Sequence, residues 1–172
     1  MIRLRELERN DVPVINRWRQ DREITASLGA PHRHIGIEVD ERWFEAYLQR
    51  RGTDVRCAIC RDDVNEPVGL VSLTGIDPVH KHAELHILLG DRASHGQGIG
   101  TEATRAMVSH GFRDLNLHRI YLFVLDSNAA ARRMYEKVGF RHEGTLRESA
   151  FKDGRYEDVH LMGLLQSEFR SA

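Results

Sequence analysis

His95-Gly96-Gln97-Gly98-Ile99-Gly100-Thr101 stands between a strand pattern at residues 83–89 and a helix pattern that runs on to Arg113. Glycines at such a junction let a backbone approach a phosphate closely, and the free N–H groups of a helix start attract an anion. The spacing is not the dinucleotide fingerprint, because G-x-G-x-x-G needs a glycine where Thr101 stands. It is not a P-loop either, since no Gly-Lys-Ser/Thr follows. Taken alone, the loop also fits a flexible turn. The helix after it carries Ile99, Ala103, Ala106 and Met107 on one side.

The strand before the loop reads Ala83-Glu84-Leu85-His86-Ile87-Leu88-Leu89. Alternation puts Glu84 and His86 on one face and Leu85 and Ile87 on the other. Acids are depleted in strands and resist burial, so Glu84 invites a functional reading. An exposed strand face or a buried ion pair is the plainer alternative. Downstream, Arg119–Leu125 is a nearly unbroken apolar run, as expected of a strand buried on both faces. A helix pattern at 128–138 follows, with Ala131, Met134, Tyr135 and Val138 in phase and Gly139 placed as its C-terminal cap. Asn128 and Tyr135 are close to two turns apart and share a face. Asn128 also fits a helix cap, and Tyr135 a core aromatic.

Working outward, residues 2–7 alternate as a strand. Asn10 or Asp11 can cap a helix with Pro13 in its first turn and Val14, Ile15 and Trp18 on its buried face. The pattern breaks over residues 27–36. A helix at 40–51 shows Trp43, Phe44, Tyr47 and Leu48 at helical spacing. Strands at 55–61 and 68–74 flank a turn at 62–67, and two last strands, 141–151 and 156–165, flank the turn Lys152-Asp153-Gly154-Arg155. The central strand-loop-helix-strand order requires a crossover. We expect one α/β domain with a mixed, mostly antiparallel sheet of about 6–7 strands flanked by about 4–5 helices. Within residues 1–172, the first strand and acceptor-side helices occupy 1–52, the central strands and glycine loop 53–125, and the last helix and hairpin 126–172.

A chain of 172 residues fits a single domain and can bury a real core. It has 41% hydrophobic and 30% charged residues, an ordinary globular composition. Twenty-five basic against 26 acidic residues argue against a nucleic-acid partner. Cys57 and Cys60 form a C-x-x-C pair, but in a strand they face opposite ways, and no second pair completes a zinc site. Without a signal core, a membrane-length apolar run or a disulfide framework, the expected compartment is the cytoplasm. Among the ten histidines, His32 and His34 lie in a loop and His80 and His82 flank a turn; neither pair has a third ligand at convincing spacing, so no metal is expected.

Several ordered segments carry one resemblance. They are Gly90-Asp91, Gly96-Gln97-Gly98-Ile99-Gly100-Thr101-Glu102-Ala103, Leu115-Asn116-Leu117-His118-Arg119-Ile120 and Asn128. Tyr135-Glu136-Lys137-Val138-Gly139-Phe140, Glu143-Gly144-Thr145-Leu146-Arg147 and Gly154-Arg155-Tyr156 continue it. Together they resemble the GNAT acetyltransferases, in the branch of ribosomal-protein N-terminal and spermidine acetyltransferases, strongly over residues 68–165. The resemblance implies acetyl-CoA as cosubstrate. It implies that the loop at His95, Gly96, Gln97, Gly98, Ile99, Gly100 and Thr101 holds the CoA pyrophosphate, although His95 stands where the family usually has Arg or Gln. Leu88 and Leu89 would pair by backbone with the pantetheine arm near a splay between strands, and Asn128 would contact that arm. Tyr135 would be the acid that protonates the leaving thiolate. Glu84 would be the base, directly or through water, with His86 as the alternative.

The acceptor pocket in such folds is built by the N-terminal helices and the final hairpin, here about residues 22–39 and 148–158. Asp21, Glu23, Glu38 and Asp40 would attract a cationic amine; Arg22, Arg33, His32 and His34 would hold an anion instead. The first acceptor class is a small-molecule amine such as a polyamine, an antibiotic or an amino sugar. A protein N-terminal amine is second, and a non-catalytic acyl-CoA-binding module is the contrasting class. Homodimers are common among similar proteins.

Overall fold

Alternating and helical patterns of this order demand one sheet with helices on both faces. In the computed structural model, which describes residues 1–62 and 65–170, seven strands form that sheet. They are β1 (Ile2–Glu6), β2 (Val55–Arg61), β3 (Pro67–Asp77), β4 (His82–Leu89), β5 (Arg119–Leu125), β6 (Arg141–Lys152) and β7 (Arg155–Leu165). Their order is β1-β2-β3-β4-β5-β7-β6. All neighbours are antiparallel except β4 and β5, which run parallel. The crossover between those two is α4 (Ile99–Arg113). The other helices are α1 (Val12–Gln20), α2 (Arg22–Ala26), α3 (Ile37–Gln49) and α5 (Ala129–Val138).

Alternation along the strands divides the core. On one face Val71, Leu73, Leu85, Ile120 and Leu122 pack against Ile99, Met107 and Phe112 of α4 and Val138 of α5. On the other, Leu70 and Leu88 meet Ile15 and Trp18 of α1 and Phe44 and Tyr47 of α3. Each such side chain taken fully out of water stabilises the fold by roughly 1.5–3 kcal/mol. Cys57 packs on the α4 face, whereas the Cys60 thiol donates to the Asn65 carbonyl at 3.4 Å. Burial pushes the Cys57 thiol up to about 11, and raises Cys60 as well, so neither is poised as a thiolate.

The structure departs from the sequence expectations at several points. α3 starts earlier than residue 40, because Gly36 takes the extended backbone of an N-cap. Asp11 sits at the N-cap of α1, but its carboxylate accepts from the Glu8 N–H at 2.8 Å and from Arg5, holding the turn before the helix instead. α2 lies just before the break expected over 27–36, and the side chain of Asp21 caps its start. β5 is not buried on both faces: Phe123 is 44% exposed and faces the open cleft. The 62–67 turn falls partly outside the described residues, at 63 and 64. The final hairpin turns at Asp153 and Gly154, both at positive φ (46° and 83°), the backbone that a tight two-residue hairpin requires. Among the described residues, no helix is long and apolar enough to cross a membrane.

Candidate active site

β4 and β5 pair at His82–Arg119, Ala83–Ile120 and Glu84–Tyr121, and beyond that point the ladder stops. β4 continues to Leu89 on β3, so alternate residues after Glu84 present N–H and C=O groups to the gap without a strand partner. The gap opens a cleft of about 870 Å³, lined by Leu85–Leu89 on one side and by Phe123, Val124 and Leu125 on the other. This is the splay expected beside Leu88 and Leu89.

The glycine loop closes one end of the cleft. Asp91 accepts from Ala93 N–H at 3.1 Å and from the Ser94 hydroxyl at 2.6 Å, folding a short turn. Arg61 reaches the Ser94 hydroxyl at 3.1 Å, and Gln97 Nε2 donates to the Ala93 carbonyl at 2.5 Å. His95 Nε2 lies 3.0 Å from the Leu89 carbonyl. Gly96 and Gly98 hold φ of 74° and 80°, and nothing stands within 4 Å of where a Cβ would be. α4 begins just after Gly98, so the N–H groups of Ile99, Gly100 and Thr101 precede its first internal bonds. His95, Gly96, Gly98, Gly100 and Thr101 line the cleft. Two expected loop residues differ: the Ile99 side chain is 7% exposed in the core, and Gln97 folds back to hold the loop. Both keep only their backbone for a ligand.

α5 forms a wall of the same cleft. The Asn128 side chain accepts from Ala131 N–H at 3.1 Å, so the plain cap reading holds, and its Nδ2 donates to the Ser27 carbonyl at 3.2 Å. Two turns on, Tyr135 is 6% exposed, with its ring edge-on to Phe140 at 5.8 Å between centroids. Burial pushes its hydroxyl well above the ordinary tyrosine range, which keeps it protonated. Both residues line the cleft.

Glu84 and His86 share the opposite face of β4 from Leu85, as alternation required, and both line the cleft. His86 Nε2 lies 3.6 Å from Glu84 Oε1 and 3.0 Å from the Thr74 hydroxyl. Half of the His86 side chain is exposed in the open cleft, and partial desolvation lowers the imidazole below its ordinary range; Arg56 adds to this, while Glu84 opposes it. Arg56, Ser72 and His86 form one row across β2, β3 and β4. Arg56 lies over Trp43 at 5.3 Å and pairs with Asp54 at 3.0 Å. Sequence reasoning missed Arg56, Ser72 and Phe123 in the cleft lining; a polar residue inside an apolar strand was the available signal for the first two.

The remaining wall is Ser27, Leu28, Gly29 and Ala30. The acids expected to attract an acceptor are mostly spent elsewhere. Asp40 is fully buried, accepts from Asn16 Nδ2 at 2.7 Å and pairs with Arg19. Asp21 caps α2 and takes Arg92 at 2.7 Å, and Glu23 takes the same Arg92 at 2.5 Å. The turn histidines gain a neighbour that the sequence spacing did not show: Asp77 lies within 4.8 Å of His80 and His82, outside the cleft. Its carboxylate is already bonded to His80 Nδ1 at 3.0 Å and to two backbone N–H groups of the turn.

Residues 2–141 match the family described as acetyltransferase (GNAT) domain. The chain is 32% identical over 166 residues to a spermidine N(1)-acetyltransferase of Vibrio cholerae, covering 96% of this chain and 94% of that one. It is 31% identical over 114 residues to a ribosomal-protein-serine acetyltransferase of Escherichia coli, covering 66% and 62%. A crystal structure of spermidine N-acetyltransferase from Vibrio cholerae in complex with CoA and spermine superposes with a TM-score of 0.89 at 31% identity, covering 97% of this chain and 96% of that one.

Proposed function

We propose a substrate class for this chain, which belongs to the acetyltransferase (GNAT) family and is an acetyl-CoA-dependent N-acetyltransferase: a primary amine of a small molecule, with a polyamine as first candidate. The observation that carries the reading is the parting of β4 and β5 after Glu84–Tyr121. It sets unpaired backbone groups, the open glycines, Tyr135 and Glu84 around one cleft. The polyamine choice is supported by the two spermidine acetyltransferase comparisons, which span nearly the whole chain.

Acetyl-CoA supplies an acetyl group activated as a thioester. In our reading the backbone of Gly96, Gln97, Gly98, Ile99, Gly100 and Thr101 holds its pyrophosphate, and Leu88 and Leu89 pair with the pantetheine arm. Asn128, engaged as a cap, shapes that wall and contacts the arm. Free N–H groups of β4 stabilise charge growing on the carbonyl oxygen. The attacking amine must be neutral, and an alkylamine has a pKa of roughly 10. Glu84 draws the ammonium in and takes its proton, directly or through water, with His86 as the alternative base. Tyr135, kept protonated by burial, gives its proton to the leaving thiolate.

Calorimetric titration with acetyl-CoA and separately with ATP tests the donor site. Micromolar acetyl-CoA binding without ATP binding is expected. Thiol release is then compared across spermidine, spermine, an aminoglycoside, an amino sugar and a peptide with a free N-terminal serine. Turnover of the peptide alone would overturn the small-amine reading, and turnover of the aminoglycoside or sugar alone would remove the polyamine.

A further inference from the structure

Lys152 is the last residue of β6, beside the tight turn of the final hairpin. Its side chain leaves the hairpin and enters the wall across the cleft. The residue is 7% exposed, and its ammonium donates to three backbone carbonyls, Thr25 at 3.0 Å, Leu28 at 2.8 Å and Ala30 at 2.7 Å. An ammonium has three N–H donors and no acceptor, so these three partners satisfy it completely.

The wall needs that support. α2 has five residues, far fewer than a helix requires to stand alone, and its end is closed locally only by the Ser27 hydroxyl on the Ile24 carbonyl at 3.0 Å and by Leu28 N–H on the Thr25 carbonyl at 3.1 Å. The Ser27 carbonyl accepts from Asn128 Nδ2 at 3.2 Å. Four carbonyls between Thr25 and Ala30 are thus held from outside, three by the hairpin and one by the cap of α5. Arg22 and Asp153 repeat the link at the surface at 3.5 Å. Ser27, Leu28, Gly29 and Ala30 line the cleft. The glycine loop is held mainly by Arg61, Asp91 and Gln97, and Arg92 of the same turn joins it to Asp21 and Glu23 at the start of α2, away from the carbonyls that Lys152 holds.

We propose that Lys152 is a positioning residue that fixes the 25–30 wall and thereby sets the affinity for the amine acceptor, leaving the donor site alone. The proposal rests on the small-amine reading for the identity of the acceptor and on the expectation that residues 22–39 build its side of the cleft. Lysine suits the task because its three donors diverge from one point, whereas the donors of arginine lie in one plane and on a larger head that this enclosed site would have to accommodate.

The test uses the full chain with Lys152→Met, which keeps the length and removes the donors, and Lys152→Arg, which keeps the charge and serves if the first variant does not fold. Hydrogen exchange over residues 22–36 is expected to speed up about tenfold or more while residues 95–113 keep wild-type rates. The KM for spermidine as probe is expected to rise about tenfold, with kcat and CoA affinity within about threefold of wild type, since tenfold corresponds to about 1.4 kcal/mol. Lys152→Arg should fall between the two. Wild-type exchange over 22–36 in a folded variant would overturn the clamp. Equal losses in kcat and CoA affinity would overturn its restriction to the acceptor side. If wild-type protein does not acetylate spermidine, the polyamine reading falls, while exchange and CoA binding still decide the clamp.

Discussion

The indole of Trp18 lies flat against the backbone of Gly90, so close that a Cβ on Gly90 would stand 1.9 Å from Trp18 Cδ2. This contact joins α1 to the end of β4, where the glycine loop leaves the sheet. Gly90 N–H also donates to the Val68 carbonyl at 3.0 Å, so the backbone cannot slide away from the ring.

Gly90→Ala must therefore displace Trp18 or the strand end. Overpacking of this kind costs roughly 1–3 kcal/mol. We expect that loss in urea denaturation, together with weaker acetyl-CoA binding, because Leu88 and Leu89 shift with the strand. Wild-type stability in the variant would show that the indole yields freely.

Gly98→Val separates the loop's conformation from its packing. No atom lies within 4 Å of the added Cβ, so no clash is expected inside the protein. The residue must still hold φ 80°, which costs a β-branched side chain roughly 1–2 kcal/mol or more. Its side chain would also stand in the opening of the anion site. We expect a folded variant whose acetyl-CoA affinity falls tenfold or more, about 1.4 kcal/mol, by calorimetry. Normal affinity would remove the phosphate role from this loop.

Tyr135→Phe keeps the ring packing against Phe140 and removes only the hydroxyl. Loss of a general acid costs roughly 10²–10⁴-fold in rate. We expect kcat to fall in that range while the acetyl-CoA dissociation constant stays within about twofold of wild type. Because burial raises the hydroxyl's pKa, Tyr135 keeps its proton across ordinary assay pH and adds no alkaline limb there. Unchanged turnover would exclude it as the acid.

Residues whose roles depend on local backbone were legible in the sequence. The glycine loop, the Glu84/His86 face, the Asn128 cap and the final hairpin follow from period, spacing and turn chemistry. The splay was inferred only through the family resemblance, since no property of Leu88 or Leu89 shows where β5 leaves them. Contacts across long separations were not legible. Lys152 reaching Thr25, Trp18 covering Gly90 and Arg56 entering the His86 row depend on three-dimensional closure. Asp40 shows the converse: an acid beside a suspected pocket looked available for an amine, and the fold consumed it.

That consumption predicts the behaviour of Asp40→Ala. The carboxylate takes Asn16 Nδ2 at 2.7 Å and Arg19, fastening α3 to α1. Arg19 is partly exposed and can turn to water, so the cost is that of orphaned buried donors, roughly 1–3 kcal/mol. We expect a lower urea midpoint with unchanged acceptor KM in the folded protein. A raised KM at wild-type stability would return Asp40 to the acceptor site.

The pH dependence of Glu84→Gln and His86→Gln distinguishes the two candidate bases. An alkylamine with a pKa of roughly 10 is already partly neutral at high pH, so a base matters most at low pH. If Glu84 is the base, Glu84→Gln loses most rate at low pH, and His86→Gln keeps the wild-type profile. An unchanged profile in Glu84→Gln would transfer the role to His86 or to water. Stability gives an independent reading of His86. Partial desolvation of this half-exposed imidazole lowers its pKa below 6.5 in the fold, with Arg56 adding to the effect and Glu84 opposing it. As pH falls through 6.5, the unfolded chain takes the proton first, so the stabilising contribution is full above 6.5 and is lost as pH falls towards the folded pKa. His86→Gln is therefore expected to show a smaller fall in Tm between pH 7 and pH 5 than wild type, by thermal denaturation at about equal ionic strength. An identical fall would mean that the imidazole takes its proton as readily in the fold as in the unfolded chain, and the desolvation attributed to it would be wrong.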